Sequence, residues 1–483
     1  MARAGLVGVA LLVVASFAAL ELRLSGPFGI SGYVAYRSLR SFARDALIPS
    51  PPSVADFPNP GPNAIVIVLD CFRRDYLDVA APRLRSFAED AWSYDRYYAA
   101  ASWTKPSTVS LFTGLHVRRH YVTGGGGSQL PSEALTIAEL LQEQGFATAG
   151  FVWNPHLTRR QAFDQGFDHY VDNARRGSKS LLHELFAWLD AERPQRFFAY
   201  VHFQGTHDPY YDDNDLVALL TAPAYPGDLD FSKIDYKLAV AEGLRLSQAE
   251  VAHLRHVALG KARRVDREAV AGFLERFFDS RLPENTLVMI TSDHGDGFLE
   301  HEAVSHGRTV YEEEIHVPLL VHYPEAFARE RGFANSGRDE CLASTVDVLP
   351  TVADFLGVPR PDGIDGASLV PARGGRPSCG RAVVSERTLE DGAIAGAALL
   401  YDELKLIVDY SEQGRALRLY DLGSDPGEQR EISDDRRARA RQLDADLVRR
   451  LNGDGASLAP WEAVPGELSD EHREALRALG YVE

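Results

Sequence analysis

Two apolar runs, each leading into an acid, constrain this chain most. Residues 287–291 read Leu-Val-Met-Ile-Thr and are followed by Ser292, Asp293 and His294. Residues 63–69 read Asn-Ala-Ile-Val-Ile-Val-Leu and run directly into Asp70. An uninterrupted apolar, partly β-branched run fits a strand buried on both faces, as in a parallel sheet. In an open α/β sheet, ligands gather at the carboxyl ends of strands. Two such strands delivering carboxylates, one with an adjacent imidazole, predict a shared metal site. One loop acid after one strand would imply nothing of the kind. Gly295 and Gly297 are expected to let the backbone turn sharply beside that ion. His306 follows in a predicted loop.

The remaining elements support an α/β reading. Residues 146–152, 197–203 and 317–321 are further predicted strands, and residues 132–144 form an amphipathic helix closed by Gly145. Residues 261–281 place Val265, Ala269, Phe273 and Phe277 at helical spacing, which predicts a packing helix. Strands alternating with helices argue for a doubly wound, largely parallel sheet. Pro106 and Ser107 suit the first turn of a helix, with Val109, Leu111 and Phe112 turned inward. Thr104 then lies just before the helix N-terminus, where backbone N–H groups and the helix dipole favour an anion. A hydroxyl there, on a metal, is a candidate nucleophile. An ordinary N-cap would look the same from this stretch alone. His207 also lies just past a strand end. A long polar insertion spans residues 211–260. From about residue 381, short runs at 393–400, 404–410 and 416–420 predict a small antiparallel sheet, packed by a helix near residues 435–451. The glycine run 124–127 lacks the context of a phosphate-binding loop.

The 483 residues are 45% hydrophobic and 25% charged, with a formal charge of −18. That length suffices for one large domain and a smaller one. The acidic balance argues against general nucleic-acid binding, so a site for anions must create its own positive potential. The three cysteines, Cys71, Cys341 and Cys379, are far apart and odd in number. This spacing predicts neither a disulfide framework nor a zinc knuckle, but small buried residues. Residues 4–20 are apolar and end at Glu21, which favours a signal anchor or uncleaved signal over a cleaved one. The domain reading is residues 1–24 as signal anchor or signal peptide, 25–62 as linker, 63–380 as catalytic α/β domain and 381–483 as C-terminal subdomain. The chain is then membrane-anchored or exported, with membrane association through its N-terminus.

Seven ordered stretches together resemble the sulfatase family of the alkaline phosphatase superfamily. They are IVIVLDCFRRDYL from Ile65, SWTKPSTVSLFTG from Ser102, HFQGTHDPYY from His202, TSDHGDGFLEH from Thr291, SHGRTVYEEEIHVPLLVHYP from Ser305, STVDVLPTVADFLGVPRPDGIDGASL from Ser344 and LYDLGSDPGEQREI from Leu419. The closing RALGYVE from Arg477 is similar to bacterial members. The resemblance implies an alkaline-phosphatase-like fold: a largely parallel sheet sandwiched by helices, with a smaller C-terminal antiparallel subdomain. It implies metal-assisted attack on a sulfate or phosphate ester, an anionic substrate. Carried over by position, Asp70, Asp293 and His294 are metal ligands, and Thr104 is the nucleophile on that metal. His207 and His306 contact the substrate, protonate the leaving group or hold a second metal. Arg73 occupies the family's arginine in the first motif, and a salt-bridge role alone would explain it.

The departures from the family pattern bear on chemistry. Sulfatases convert Cys or Ser of a C/S-x-P-x-R motif to formylglycine. The corresponding residues are Thr104, Pro106 and Thr108; a threonine β-carbon carries a methyl and cannot give that aldehyde. Trp153 and Pro155 fall at the Lys and His of the family's GKWH stretch, and His306 replaces a second lysine. The paired acidic ligands become Asp70-Cys71 and Asp293-His294. An imidazole ligand favours zinc or manganese over calcium. Phosphate ester cleavage through Thr104 is therefore the first expectation. A membrane-anchored transferase of phospho-groups onto lipid or envelope glycan is the second. A non-catalytic binding protein on the same fold is the third. Tyr210, Tyr211, Trp153 and the insertion are expected to shape the pocket mouth.

Overall fold

The computed structural model describes Val54, Phe57 and residues 61–124, 128–172, 177–208, 245–371, 379–389, 392–411 and 414–452. The apolar N-terminal run, Tyr210, Tyr211 and most of the polar insertion lie outside the described residues. Within these residues, no helix is long and apolar enough to cross a membrane.

In chain order the strands are β1 (Asn63–Leu69), β2 (Trp92–Tyr94), β3 (Tyr97–Tyr98), β4 (Ala147–Trp153), β5 (His169–Asp172), β6 (Phe197–Phe203), β7 (Thr286–Thr291) and β8 (Gly297–Phe298). They continue with β9 (Val304–Ser305), β10 (Leu319–His322), β11 (Gly337–Asp339), β12 (Ala343–Ser344), β13 (Val383–Thr388), β14 (Ile394–Tyr401), β15 (Leu404–Ser411) and β16 (Gly414–Asp421). The large sheet has eight strands in the order β11-β2-β10-β7-β1-β6-β4-β5. β10 runs antiparallel to both its neighbours, and the other pairings are parallel. The carboxyl ends of β1, β4, β6 and β7 therefore share one edge.

The sheet is buried on both faces, as the continuous apolar runs predict. Ile65, Ile67 and Leu69 of β1 join one core with Leu185, Leu254 and Phe273 from helices on that side. The alternate residues Ala64, Val66 and Val68 join a second core with Phe112, Leu141 and Val352. The helix expected at 261–281 starts earlier: it runs Gln248–Val265, passes through a π turn at Asp266–Val270 and ends as Ala271–Phe278. Ser247 caps it, with the Glu250 side chain returning to the Ser247 N–H. Its first turns look polar because Ala249, His253 and Arg255 are not among its buried residues. The 132–144 helix is shorter, Ile137–Glu143, because the capping box of Thr136 and Glu139 sets its start.

The four-stranded antiparallel sheet β13-β14-β15-β16 appears where the short runs place it. One face packs Leu399, Leu406 and Leu419 against Leu443 and Leu447 of the Arg437–Asn452 helix. The other face sets Leu400, Ile407 and Tyr420 against Tyr98, Tyr311 and Ile315 of the large unit. An ion cluster crosses the same junction: buried Lys405 lies 3.0 Å from Glu312 and 2.9 Å from Glu428. One sequence expectation fails. Cys341 and Cys379 form a disulfide, and Cys71 is the free buried cysteine among the described residues. Sequence separation hid the pair, because the fold returns the chain to Cys341 after 38 residues.

Removing one member of a buried ion cluster leaves the others uncompensated, which costs about 3–5 kcal/mol. Lys405→Met is therefore expected to lower the unfolding free energy by about that amount. A denaturation midpoint equal to wild type would show that the cluster contributes nothing net.

Candidate metal centre and active site

Asp70 follows β1 directly, and its backbone N–H donates to the carbonyl of Phe203, the last residue of β6. Asp293 and His294 follow β7. Between these loops lies the helix Thr104–Thr113, with every residue buried. Trp103 is its N-cap, so Thr104 is the first helical residue rather than the cap. Ser107 donates its hydroxyl to the Asp293 carbonyl at 2.6 Å and ties this helix to the end of β7. His294 Nδ1 donates to the Gly295 carbonyl at 2.8 Å. That fixes the tautomer and leaves Nε2 as the inward atom. Nε2 is 3.2 Å from Thr104 Oγ1, 3.6 Å from Asp70 Oδ1 and 3.6 Å from Asp293 Oδ2. The structure thus brings Asp70, Thr104, Asp293 and His294 to one point.

Two further side chains hold this point. His202 Nε2 is 3.2 Å from Asp70 Oδ2 and 3.9 Å from Asp293 Oδ2. Its Nδ1 meets the Tyr200 hydroxyl at 2.8 Å. Burial pushes the Tyr200 phenol up, so it stays neutral and donates to Nδ1. Nε2–H then donates to Asp70. Asn154 donates to Asp70 Oδ2 at 2.6 Å. Sequence reasoning quoted the stretch containing His202 without giving it a role. Asn154 and His156, next to the Trp153 and Pro155 of that reading, carry no role in it. Trp153 is partly buried and packs against the apolar core. His156 is buried beside Trp103, ring centroids 5.7 Å apart. The signal that could have found Asn154 is its place one residue past β4, on the same sheet edge as Asp70.

His207 and His306 lie together, with ring centroids 4.7 Å apart, and His306 is 4.6 Å from the His294 ring. His207 Nδ1 faces Asp208, at 2.6 Å from its carbonyl and 3.0 Å from Oδ1. His306 Nδ1 is 3.4 Å from Asp296 Oδ1. Asp208 and Asp296 were not singled out from the sequence, where each reads as a loop acid. Arg73 fits its salt-bridge reading: it pairs with Asp75 and Glu300 and donates to the Asp296 carbonyl. Gly295 and Gly297 are not among the residues with positive φ. Gly295 is needed for close approach instead, since a Cβ there would lie 2.1 Å from the Glu313 carbonyl oxygen.

Electrostatics separates the carboxylates. Burial raises Asp70, but the positive fields of His207, His202 and His294 outweigh it together and hold the group well below its usual range. Burial and the Asp70 charge raise Asp293. Burial, then Asp208 and Glu314, push Asp296 well up. Asp70 Oδ1, Asp293 Oδ2 and Asp296 Oδ2 are buried and have no hydrogen-bond partner. Buried carboxylate oxygens in this state fit a cation, and the Asp, Asp, His and Thr donors suit a divalent ion of borderline hardness.

Fold and site define an α/β protein with a buried acidic and imidazole-rich centre at the carboxyl edge of its sheet. The chain matches the sulfatase family model over residues 62–358, more than half of its length, and belongs to the sulfatase family. Residues 300–454 match the C-terminal model of N-sulphoglucosamine sulphohydrolase. The ulvan-active sulfatase of Formosa agariphila is 26% identical, over 64% of this chain and 64% of that protein. The Delta 4,5-hexuronate-2-O-sulfatase of Bacteroides thetaiotaomicron is 23% identical, over 76% of this chain and 83% of that one. Among solved structures, the phosphonate monoester hydrolase of Silicibacter pomeroyi shares the fold at a TM-score of 0.63 and 21% identity, covering 84% of this chain and 99% of that one. These relatives and neighbours are sulfatases and phosphonate ester hydrolases by name, and this chain is a hydrolase of the sulfatase family.

Lys105, beside Thr104, is buried and reaches the Ser128 carbonyl at 3.2 Å. Burial lowers its ammonium to about 7 from 10.5. Between those values the unfolded chain binds more protons than the folded one, so stability rises with pH across this window. Lys105→Met is expected to flatten that rise, seen as a wild-type-minus-mutant difference in melting temperature that changes between pH 7 and 10. A constant difference would contradict the burial argument. Gly295→Ala forces a backbone shift beside His294 and is expected to destabilise by about 1–3 kcal/mol. Chemical denaturation would check it.

Proposed function

We propose that this chain hydrolyses an anionic ester, a phosphate or phosphonate ester in preference to a sulfate ester, with Thr104 as nucleophile. The observation that carries this reading is Thr104 Oγ1 at 3.2 Å from His294 Nε2, on the same point as Asp70 and Asp293. Asp70, Asp293 and His294 would hold a divalent cation, zinc or manganese rather than calcium. Bound there, the ion supplies the positive charge that ionises the Thr104 hydroxyl and offsets charge on the ester oxygens. The N-terminus of the Thr104–Thr113 helix adds backbone N–H groups on the same side.

The ionised Thr104 oxygen attacks phosphorus, forming a threonyl O–P bond as the bond to the leaving alcohol breaks. His207, whose Nδ1 is directed to Asp208, gives its Nε2 proton to the departing oxygen. Water then attacks phosphorus and breaks the threonyl O–P bond. Its proton returns to His207, and the phosphate or phosphonate product leaves. His306 faces the same space and orients substrate oxygens. Threonine favours phosphoryl chemistry because its β-methyl precludes the formylglycine on which sulfatases rely. His202 and Asn154 keep Asp70 turned toward the cation, as partners of metal ligands commonly do.

In this reading residues 63–380 carry the catalysis, and the described part of residues 381–483 supports them. The Cys341–Cys379 disulfide favours an oxidising compartment, in keeping with an exported or membrane-anchored chain.

Thr104→Ala is expected to lower turnover of a chromogenic phosphonate monoester or phosphodiester by about 10³-fold or more. Thr104→Ser should retain part of it. Full activity in Thr104→Ala would refute the nucleophile. Comparing water with an added alcohol as acceptor distinguishes hydrolysis from group transfer. His202→Ala is expected to weaken metal affinity by about 10–100-fold, read by chelator competition.

A further inference from the structure

β13 is an edge strand of the small sheet, with β14 on one side. An edge strand offers a row of backbone donors and acceptors to whatever lies beside it. What lies beside β13 is the segment that leads into Thr104. Ala101 and Glu386 form a parallel bridge, and the Glu386 N–H donates to the Ala100 carbonyl at 2.8 Å. The Ser385 hydroxyl donates to the Ala99 carbonyl at 2.6 Å. The C-terminal subdomain therefore reaches within three residues of the proposed nucleophile, without entering the centre.

The same strand grips the chain on both sides of the Thr104–Thr113 helix. Before it, the N-cap residue Trp103 donates its indole Nε1–H to Thr388 Oγ1 at 2.7 Å, and both residues are buried. The pairing of β13 with β14 shifts register between Arg387 and Thr388, a bulge of the kind that re-aims a side chain. Beyond the helix, Arg118 gives its backbone N–H and its Nε to the two carboxylate oxygens of buried Glu386, at 2.9 and 3.3 Å. On its other side Trp103 packs against Gly307, where a Cβ would lie 3.5 Å from the Trp103 Cβ. The indole is thus held between β13 and the loop that carries His306.

We propose that Thr388 is a positioning residue for the reaction, acting through Trp103 to set where the Thr104 hydroxyl lies, an inference that rests on the reading of Thr104 as nucleophile. A helix on the surface is oriented by its apolar stripe. The Thr104–Thr113 helix is buried all round, so it has no such stripe, and polar ties must fix its rotation. Ser107 on the Asp293 carbonyl is one tie. The Trp103–Thr388 bond is the tie nearest to Thr104, one residue away along the chain. A shift of the indole turns the first helical residue and moves Oγ1 from its place beside His294. An attacking atom displaced by about 1 Å loses up to about 10²-fold in rate. Thr388 touches neither the metal ligands nor the space for the ester, so its effect falls on turnover rather than on substrate binding.

The test is steady-state hydrolysis of a chromogenic phosphonate monoester by the full chain and its variants, with the indole N–H of Trp103 followed by NMR. Thr388→Val keeps the volume and removes the acceptor. It is expected to lower kcat by about 10- to 100-fold and to move the Trp103 indole resonance. KM should stay within about twofold of wild type. Thr388→Ser keeps the hydroxyl and should restore both kcat and the resonance. Trp103→Phe should lose as much as Thr388→Val, and the double variant no more than either alone, because both break one contact. Should Thr388→Val fail to fold, Trp103→Phe gives the reading by itself. Wild-type kcat in Thr388→Val or Trp103→Phe, Thr388→Ser as slow as Thr388→Val, or additive losses in the double variant overturns the inference. Any of these with hydrolysis still lost in Thr104→Ala leaves the proposed function standing. Full activity in Thr104→Ala overturns both.

Discussion

The structure depends on the burial of carboxylates at one edge of a sheet whose strands are apolar along their whole length. β1 and β7 pair in parallel, residue by residue, from Asn63 with Thr286 to Val68 with Thr291. That register carries Asp70 and Asp293 to the same height. Apolar cores on both faces lock it, since a slip of one residue would exchange Ile65, Ile67 and Leu69 with Ala64, Val66 and Val68. The site is thus positioned by hydrophobic packing that pays for the burial of its charges. Its polar groups then orient one another: Tyr200 holds His202, His202 and Asn154 hold Asp70, and Ser107 fixes the turn at Asp293.

The loop after β7 is where packing and chemistry meet. Gly295 and Asp296 donate backbone N–H groups to Glu314 and Glu313, which draws the loop against the segment before β10. The short pair β8 and β9 then returns the chain so that His306 faces His207 and His294. Gly307 has positive φ, and its N–H bonds to the Ser102 carbonyl, which links the His306 loop to the start of the Thr104 helix. Each of these contacts is local and modest. Their combined effect is to set four imidazoles, of His202, His207, His294 and His306, and four carboxylates, of Asp70, Asp208, Asp293 and Asp296, around one buried volume.

The C-terminal sheet contributes at a distance. Its inner face packs on Tyr311 and Ile315, and Lys405 joins Glu312 to Glu428. Burial, followed by the opposing Lys405 charge and the Glu312 charge, leaves the Glu428 carboxyl raised to about 7. His301 stacks on Tyr311 and meets the Glu428 carbonyl, so the same junction steadies the loop that precedes His306. A subdomain without a residue in the centre can thereby govern its order.

The sequence by itself determined the sheet, the small antiparallel unit and the meeting of four residues at one sheet edge. Long apolar runs can be buried only one way, and the acids that end them must lie at the carboxyl edge. Asp70, Thr104, Asp293 and His294 were legible because each sits at a strand or helix terminus whose position the pattern fixes. Tertiary structure alone decided the rest. His202 lies inside a strand that reads as core, Asn154 needed a register exact to one residue, and Asp296 and Cys71 reach the centre only because loops from different elements meet there. The same reason concealed the Cys341–Cys379 pair. A local pattern reports which face of an element is buried, but not which loops the packing of several elements brings into contact.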